Sequence, residues 1–309
     1  MRPEAVFALA VAAAGGHLVY PAGLAVATRG RSIPGPPPPA EWPALSVVVP
    51  AYLEAGVIAA KIDDLRANGY PAEVEIIVVA DGDPETAAAA RAAGARVLDP
   101  AERLGKAQAL NAGVAAACHP IVVLTDANNR VAPGALASLV PWFSDPAVGA
   151  VAGEKRETES ADGEEGLYWR FESWLKRREA VLGTTVGLVG ELAAVRRAAW
   201  EPIPADVAID DLWLALDLPS RGYRVAYEMA ATATEPPAPL RAEWDRRTRN
   251  VAGALHVLWR RRRELGPGGG LVAAEVWGHR LWRYTGGPAA HAALLAHAVQ
   301  RCRSNPVAQ

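Results

Sequence analysis

The chain is poor in cysteine, and the spacing of the few that it has excludes two classes of protein. Among its 309 residues are two cysteines, Cys118 and Cys302. They lie far apart and show no ligand-type spacing, so neither a disulfide framework nor a cysteine-based metal site is indicated. A reducing compartment fits this composition.

The chain also lacks a strong charge of either sign. Its formal net charge at pH 7 is −2, which gives no electrostatic basis for binding nucleic acid, since such domains carry a clear basic excess. Hydrophobic residues make up 51% of the sequence, and a chain of this length can bury a large core. The composition therefore fits an enzyme with one catalytic domain.

Long uncharged stretches are scarce, and the N-terminus provides the clearest one. Residues 5–28 contain no Lys, Arg, Asp or Glu, a length that can span a bilayer. We therefore predict a membrane anchor at 1–28 and a stiff, proline-rich linker at 29–43. Arg29 and Arg31 follow the anchor and would keep the following domain in the cytoplasm. A signal peptide is the alternative, because Ala25-Val26-Ala27 resembles a cleavage site.

Three apolar segments that read as buried strands each end near acidic residues. They are residues 45–50, followed by Glu54; 74–79, followed by Asp81 and Asp83; and 121–124, followed by Asp126 and Asn128. A segment with helical periodicity follows each one, at 57–68, 85–93 and 134–142, which predicts an α/β fold with a mostly parallel sheet flanked by helices. Ligands of such sheets bind beyond the carboxyl ends of the strands.

Two features at this edge favour a metal-bound diphosphate. Asp126 and Asn128 offer oxygen ligands of the kind that Mg²⁺ or Mn²⁺ accepts together with phosphate oxygens, although acids and amides after a strand are also ordinary turn formers. Lys106 follows Gly105 in the first turn of a predicted helix, where the helix dipole and the ammonium both attract an anion.

The ordered motifs resemble those of the family 2 glycosyltransferases with the GT-A (Rossmann-like) fold. The resemblance is to the membrane-associated branch related to cellulose, hyaluronan and poly-N-acetylglucosamine synthases, and it covers residues 45–255. It rests on VVVPAYLE (47–54), VVADGD (78–83), GKAQALNAG (105–113), LTDAN (124–128), VGLVGELAAVRR (186–197), AIDDLWLAL (208–216) and GYRVAYE (222–228). Seven motifs in the expected order are far more specific than one.

The resemblance implies a role for each matching residue. The predicted nucleotide-binding residues are Pro50, Ala51, Glu54, Asp81, Asp83, Lys106 and Arg249, and the predicted metal ligands are Asp126 and Asn128. On the acceptor side, Asp211 resembles the general base, and Asp210, Glu191, Trp169 and Tyr168 line the same region. Simpler roles compete at three places: Asp210 could cap a helix, Glu191 could pair with Arg196 or Arg197, and the two aromatics could be packing residues.

The family resemblance predicts a metal-dependent, inverting transfer of a sugar to a hydroxyl acceptor from a nucleotide sugar, most readily a UDP-sugar. Only Arg249 remains of a Q-x-x-R-W motif that clamps the acceptor in processive relatives, so we expect little processivity. Two other classes compete: a nucleotidyltransferase, which needs a glycine-rich loop that VVVPAYLE lacks, and a nucleotide-binding scaffold without catalysis, against which Asp126 and Asp211 argue.

The predicted domains follow the motifs. Residues 44–130 form the nucleotide-sugar half, 131–235 the acceptor half, and 236–309 amphipathic C-terminal helices at a membrane surface, with a plain solvated helix end as the alternative. Because nucleotide sugars are cytoplasmic, we expect a bacterial inner-membrane protein with a cytoplasmic catalytic domain, or else a soluble cytoplasmic one.

Overall fold

The chain forms two compact units, and the larger one is built around a single sheet. The structure, a computed structural model, describes residues 1–33, 35–157, 164–235 and 240–304. One unit is residues 33–260, and the other combines residues 1–32 with 261–309. The two predicted halves of the catalytic region, 44–130 and 131–235, lie in the first unit and share its sheet.

The sheet of the larger unit has eight strands in the order β3-β2-β1-β4-β7-β6-β8-β5. The strands are β1 (Leu45–Ala51), β2 (Val74–Ala80), β3 (Arg96–Leu98), β4 (Ile121–Leu124), β5 (Arg130–Val131), β6 (Val148–Glu157), β7 (Ala193–Arg196) and β8 (Arg224–Glu235). Strand β1 pairs in parallel with β2 and β4, and β2 with β3. Beyond β4 the sheet is mixed, because β7 runs antiparallel to β4 and β6, while β6 and β8 are parallel.

Helices cover the sheet and connect its parallel strands. In the larger unit they are α3 (Ile58–Arg66), α4 (Pro84–Ala92), α5 (Lys106–Ala116), α6 (Ala135–Leu139), α7 (Glu164–Leu182), α8 (Asp210–Ser220) and α9 (Leu240–Arg260). The three helices predicted after the first strands are therefore present, with ends shifted by a few residues. The third is shorter than predicted and continues as a 3₁₀ helix, Val140–Ser144.

The continuous apolar strands are explained by burial on both faces. Leu45, Val47, Val48 and Val49 of β1 are fully buried, as expected for a parallel strand between helical layers. Helix α5 lies directly on this strand, because a Cβ at Gly113 would be 2.3 Å from Val48 Cγ1. The close contact fixes α5, and with it Lys106 at its start, relative to the end of β1.

The smaller unit joins the two ends of the chain. It contains α1 (Pro3–Ala14), α2 (Tyr20–Ala27), α10 (Gly270–Glu275), α11 (Trp282–Tyr284) and α12 (Gly286–Ser304). The stretch Pro3–Ala27 is one 25-residue helix with a π-helical turn. It is long and apolar enough to cross a membrane, with a mean hydropathy of 1.6 over an 18-residue window. By length and composition alone, a core helix or a signal sequence would pass the same test.

Within the smaller unit, the N-terminal helix packs against the C-terminal helices. Trp282 Nε1 donates a hydrogen bond of 2.6 Å to the carbonyl oxygen of Ala12, and the Tyr20 ring lies where a Cβ of Gly278 would be. The predicted anchor at 1–28 and much of the predicted C-terminal segment 236–309 therefore form one unit. Residues 236–239 and 305–309 of that segment lie outside the described part of the chain.

Candidate active site

Five of the predicted site residues, from both the donor side and the acceptor side, line one cleft at the carboxyl end of β4: Pro50, Lys106, Asp126, Asp210 and Asp211. Lys106 Nζ lies 2.8 Å from Asp126 Oδ1 and 3.8 Å from Asp210 Oδ1. Pro50 and Asp211 line the same cleft. Four segments that are distant in sequence therefore deliver their polar residues to one place, as expected for the edge of an α/β sheet.

The electrostatics of the cleft centre on Lys106. Burial opposes its charged form, but the carboxylates of Asp126 and Asp210 outweigh burial and raise the pKa of Lys106. Burial raises the pKa of Asp126; Lys106 opposes this increase and the charge of Glu191 adds to it. Burial and the charge of Asp126 also raise the pKa of Glu54. The cleft thus holds a lysine that stays cationic among acids, an arrangement suited to a ligand that carries both a cation and an anion.

The residues present suit a divalent cation that arrives with a diphosphate. Among the described residues no group of three or more His, Cys, Asp or Glu side chains could hold a metal alone. Mg²⁺ and Mn²⁺ at nucleotide sites need one or two protein oxygens and take the rest from phosphate and water. Asp126, whose side chain is 29% exposed, can supply the carboxylate. Asn128 is exposed, and its Nδ2 donates to Glu235 Oε1 at 3.1 Å.

Asp81 and Asp83 have structural roles that the sequence did not predict. Asp81 accepts hydrogen bonds from the backbone N–H groups of Leu104 and Gly105, at 2.5 and 2.9 Å, and so fixes the entry to α5. Asp83 accepts from the N–H of Leu53 at 2.8 Å and from Glu85 at the start of α4. Both acids are almost fully buried. They shape the loops that adjoin Pro50 and Lys106, two residues that line the cleft. Their contacts to a nucleotide remain a prediction.

The turn after β1 is held in a strained conformation. Leu53 has φ +58°, unusual for a residue with a side chain, and its side chain is 72% exposed. Its amide is bonded to Asp83, and the amide of Glu54 donates to Thr86 Oγ1 at 3.0 Å. The hydrogen bond from Thr86, more than the others, lowers the pKa of Asp83. The strained turn follows Pro50 and Ala51, the segment predicted to contact the nucleoside.

Asp210 and Asp211 are the first two residues of helix α8, and their carboxylates have different interaction partners. Helix α8 begins at Asp210, and no side chain caps it from Ile209. The alternative that Asp210 caps the helix is therefore wrong, and its carboxylate instead lies near Lys106. Asp211 Oδ1 accepts a hydrogen bond from the N–H of Leu212 at 2.7 Å. Both acids lie in the first turn, where the helix dipole stabilises negative charge.

A buried lysine on β6, which the sequence analysis did not identify, brings together residues predicted to lie on the acceptor side. Lys155 is 1% exposed; its Nζ lies 2.6 Å from Glu191 Oε1 and pairs with Glu235 as well. The Trp169 ring centroid is 5.2 Å from the same ammonium. Burial favours the neutral acid, but Lys155 outweighs it and lowers the pKa of Glu191. The alternative pairing of Glu191 with Arg196 or Arg197 is wrong, since those guanidiniums donate to backbone carbonyls.

A second buried lysine, Lys61, supports the loop that carries the predicted metal ligands. Lys61 donates to Thr125 Oγ1 at 2.9 Å and to Asn129 Oδ1 at 2.6 Å. Thr125 and Asn129 in turn donate to the carbonyl oxygen of Glu191, both at 2.8 Å. Burial lowers the pKa of Lys61 to about 8. The residues on either side of Asp126 are thereby tied to the backbone of Glu191.

The remaining predicted residues are less closely tied to the cleft. Tyr168 stacks edge-on against Trp169, with ring centroids 5.3 Å apart, and is 43% exposed. Arg249 is exposed on α9, and the described residues of the cleft form no hydrogen bond or ion pair with it. Arg246, one turn earlier, lies 3.8 Å from Glu235, so it connects α9 to the Lys155 cluster.

The buried position of Lys155 leads to a prediction about stability. We expect Lys155→Met to lower the free energy of unfolding by about 3 kcal/mol, because Glu191 and Glu235 would be left as like charges without their shared cation. Lys176 is also buried and is paired with Glu154 at 2.9 Å, so it serves as the comparison. Lys176→Met should lower the free energy of unfolding by a similar amount. Urea unfolding measures both, and a Lys155→Met protein as stable as the unchanged chain would contradict the expectation.

Comparison with known proteins gives the family. The family model for glycosyl transferase family 2 matches residues 46–202, about half of the chain. An N-acetylglucosaminyltransferase from Rhizobium meliloti is 28% identical over 55% of this chain and 44% of its own length. A poly-beta-1,6-N-acetyl-D-glucosamine synthase from Staphylococcus aureus is 27% identical over 71% of this chain and 57% of its own. The chain thus spans about half the length of these relatives.

Solved structures agree on the fold. A mannosyltransferase from Pyrobaculum calidifontis, solved with GDP-Man and Mn²⁺, has a TM-score of 0.81 and 29% identity, covering 96% of this chain and 86% of its own. The glucosyl-3-phosphoglycerate synthase of Mycobacterium tuberculosis, at a TM-score of 0.52 and 22% identity over 77% of this chain and 82% of its own, shows a shared fold alone. The predicted GT-A fold is confirmed, and the chain belongs to glycosyl transferase family 2.

Proposed function

We propose that the protein transfers a sugar from a nucleoside diphosphate sugar to a hydroxyl acceptor, with inversion and with the help of a divalent cation. The observation that carries the proposal is the position of Lys106, within 4 Å of both Asp126 and Asp210. One cation therefore connects the predicted metal-binding acid with the acid pair that holds the predicted base. Family membership supports the reaction class.

On the donor side, the chain offers charge stabilisation for a leaving diphosphate. Asp126, with the amide oxygen of Asn128, would hold Mg²⁺ or Mn²⁺. The metal would neutralise the negative charge that develops on the diphosphate when the bond between the anomeric carbon and the phosphate oxygen breaks. Lys106 stays protonated and can contact a phosphate oxygen. The loops held by Asp81 and Asp83 border the same cleft and would receive the nucleoside.

On the acceptor side, Asp211 takes the proton of the attacking hydroxyl. Its Oδ1 is hydrogen-bonded to the backbone, so the side chain is oriented before the acceptor arrives, which favours general base catalysis. Displacement by a hydroxyl on the face opposite the diphosphate inverts the anomeric carbon. Glu191 and Trp169, organised by Lys155, would bind the acceptor sugar through a hydroxyl and a ring face.

The test of this proposal also distinguishes between two candidate donor nucleotides. The sequence favours a UDP-sugar, whereas the structural relative with 29% identity was solved with GDP-Man. A thermal-shift screen of UDP and GDP, each with and without Mn²⁺, separates the two. We expect one diphosphate to raise the melting temperature by about 5 °C at a hundredfold excess over Kd, only when Mn²⁺ is present.

Turnover assays run beside the screen test the competing classes. Binding without turnover of any nucleotide sugar would favour a scaffold, and release of inorganic pyrophosphate from a nucleoside triphosphate would favour a nucleotidyltransferase. No metal-dependent shift with either diphosphate would contradict the proposed function itself.

The smaller unit is proposed to hold the enzyme at the cytoplasmic face of a membrane. Phe7, Leu18, Val26 and Leu295 are 67 to 76% exposed on its helices, and such apolar surface calls for a lipid or protein partner. The length and apolar character of Pro3–Ala27 make lipid the better choice.

A shortened chain tests the membrane proposal. We expect residues 33–260 to stay in solution without detergent and to bind the Mn²⁺–nucleotide, because that unit has its own core. The full chain should float with vesicles of phosphatidylethanolamine and phosphatidylglycerol in a density gradient. A full chain that remains at the bottom of the gradient as a soluble monomer would show that residues 5–28 are packed helix and not an anchor.

A further inference from the structure

The acid pair is approached through a short segment, residues 203–209, that is fixed at its first residue by α5. Gln108 Nε2 and Asn111 Nδ2 both donate to the carbonyl oxygen of Ile203 at 2.8 Å. The N–H of Ile203 donates back to Asn111 Oδ1 at 2.9 Å. Because α5 begins at Lys106, the start of this segment is set relative to the residue at the centre of the cleft.

The last residue of the segment is seated against a glycine of α9. A Cβ at Gly253 would lie 2.6 Å from Ile209 Cγ1 and 3.3 Å from the Cβ of Ala208. A glycine inside a helix costs about 1 kcal/mol relative to alanine, so its presence here calls for a packing reason. The missing side chain leaves a notch in α9, and Ile209 fills it.

Polar contacts hold the same two elements in register. Asp206, within the segment, pairs with Arg260 and lies 3.2 Å from His256 Nε2, both on α9. The Arg260 guanidinium lies 5.6 Å from the ring centroid of Trp213 in α8. Asp206, His256 and Arg260 are exposed, and exposed ion pairs contribute at most about 1 kcal/mol each. The notch at Gly253 is therefore the contact that fixes Ile209.

We propose that Gly253 is a positioning residue for the acid pair: by seating Ile209, it sets where Asp210 and Asp211 project into the cleft. Asp210 follows Ile209 directly, so a displacement of Ile209 is transmitted to both acids through the backbone. The inference rests on the proposed role of Asp211. It assigns to α9, which lies outside the residues that line the cleft, a share in the geometry of the reaction.

The test adds a side chain at Gly253 and then removes the side chain of Ile209, which that addition displaces. Gly253→Ala should push Ile209 away and lower turnover at least about tenfold, since small displacements of catalytic groups have large effects on rate. Donor affinity should stay unchanged, because Lys106 and Asp126 lie on other elements, and Arg249, although on α9, is exposed and forms no hydrogen bond or ion pair with the described residues of the cleft. Ile209→Ala, which empties the notch without a clash, should reduce turnover less, and the Gly253→Ala/Ile209→Ala protein should turn over faster than Gly253→Ala alone.

The assay uses the full chain. Turnover is measured as the rate of hydrolysis of UDP-glucose, UDP-N-acetylglucosamine and GDP-mannose in the presence of Mn²⁺. Affinity is measured by thermal shift with UDP and with GDP. Ala252→Ser, on the exposed side of α9, is the control and should behave as the unchanged chain. Normal turnover in Gly253→Ala, or no recovery in the double variant, overturns the inference alone. Absence of turnover in the unchanged chain overturns the proposed function and the inference with it.

Discussion

Asp211→Asn is expected to lower turnover about 10²-fold or more while leaving nucleotide affinity nearly unchanged. The asparagine keeps an oxygen that can accept the hydrogen bond from the N–H of Leu212, now 2.7 Å long, so the start of α8 should be preserved. What it loses is the ability to take a proton. Donor hydrolysis should fall with transfer, because water would use the same base.

The control for this variant lies two turns further along the same helix. Asp217 pairs with Arg221 at 2.6 Å and has no part in the cleft, so Asp217→Asn should keep its turnover while losing some stability. Steady-state rates with saturating donor, compared with thermal shifts by the diphosphate, separate rate from affinity. Near-normal transfer by Asp211→Asn would show that another residue is the base, and Glu191 and Asp210 would be tested next.

Asp126→Ala is expected to abolish the Mn²⁺-dependent part of nucleotide binding without unfolding the protein. The carboxylate is partly exposed at the end of β4 and is not part of the core, so its loss should cost little stability. Lys106 keeps Asp210 as a partner, which limits the electrostatic disturbance. Without Asp126 the metal loses the one carboxylate that the cleft provides after β4, and octahedral cations at such sites depend on it.

Isothermal titration with the diphosphate, with and without Mn²⁺, measures this effect. Asp99→Ala is a suitable control, since Asp99 makes a surface ion pair with Arg91 and lies outside the cleft. Mn²⁺-dependent binding that survives in Asp126→Ala at wild-type affinity would remove Asp126 from the metal site. Weak binding that no longer responds to Mn²⁺ would agree with the assignment, because Lys106 can still attract the diphosphate.

The first half of the fold could be predicted because its signals are local. Apolar strands buried on both faces alternate with helices, and parallel strands joined by such crossovers must bring their carboxyl ends to one edge. The order of strands and helices along the chain was therefore enough to place Asp126 and Lys106 together. Their separation of 2.8 Å confirms that both residues belong to this edge of the sheet.

The second half was harder because its contacts are not local. Strands β6, β7 and β8 pair with strands that are distant in sequence, some parallel and some antiparallel. The alternation of side chains along a strand does not identify the strand with which it pairs. The same limit hid Lys155. One lysine in a strand reads as a residue facing solvent, and only the arrival of Glu191 and Glu235 from other elements makes its burial favourable. The sequence likewise showed acids at Asp81 and Asp83, but it did not show from which backbone N–H groups they accept hydrogen bonds.

The union of the two chain ends in the smaller unit has a consequence for biosynthesis. The hydrogen bond from Trp282 to Ala12 joins residues 270 positions apart, so it can form only after nearly the whole chain has left the ribosome. The catalytic unit, complete at residue 260, can fold first, as N-terminal domains generally do during translation. Until then the apolar helix Pro3–Ala27 remains without its C-terminal neighbours, so its apolar side chains stay exposed longer during synthesis than those in the core of the catalytic unit.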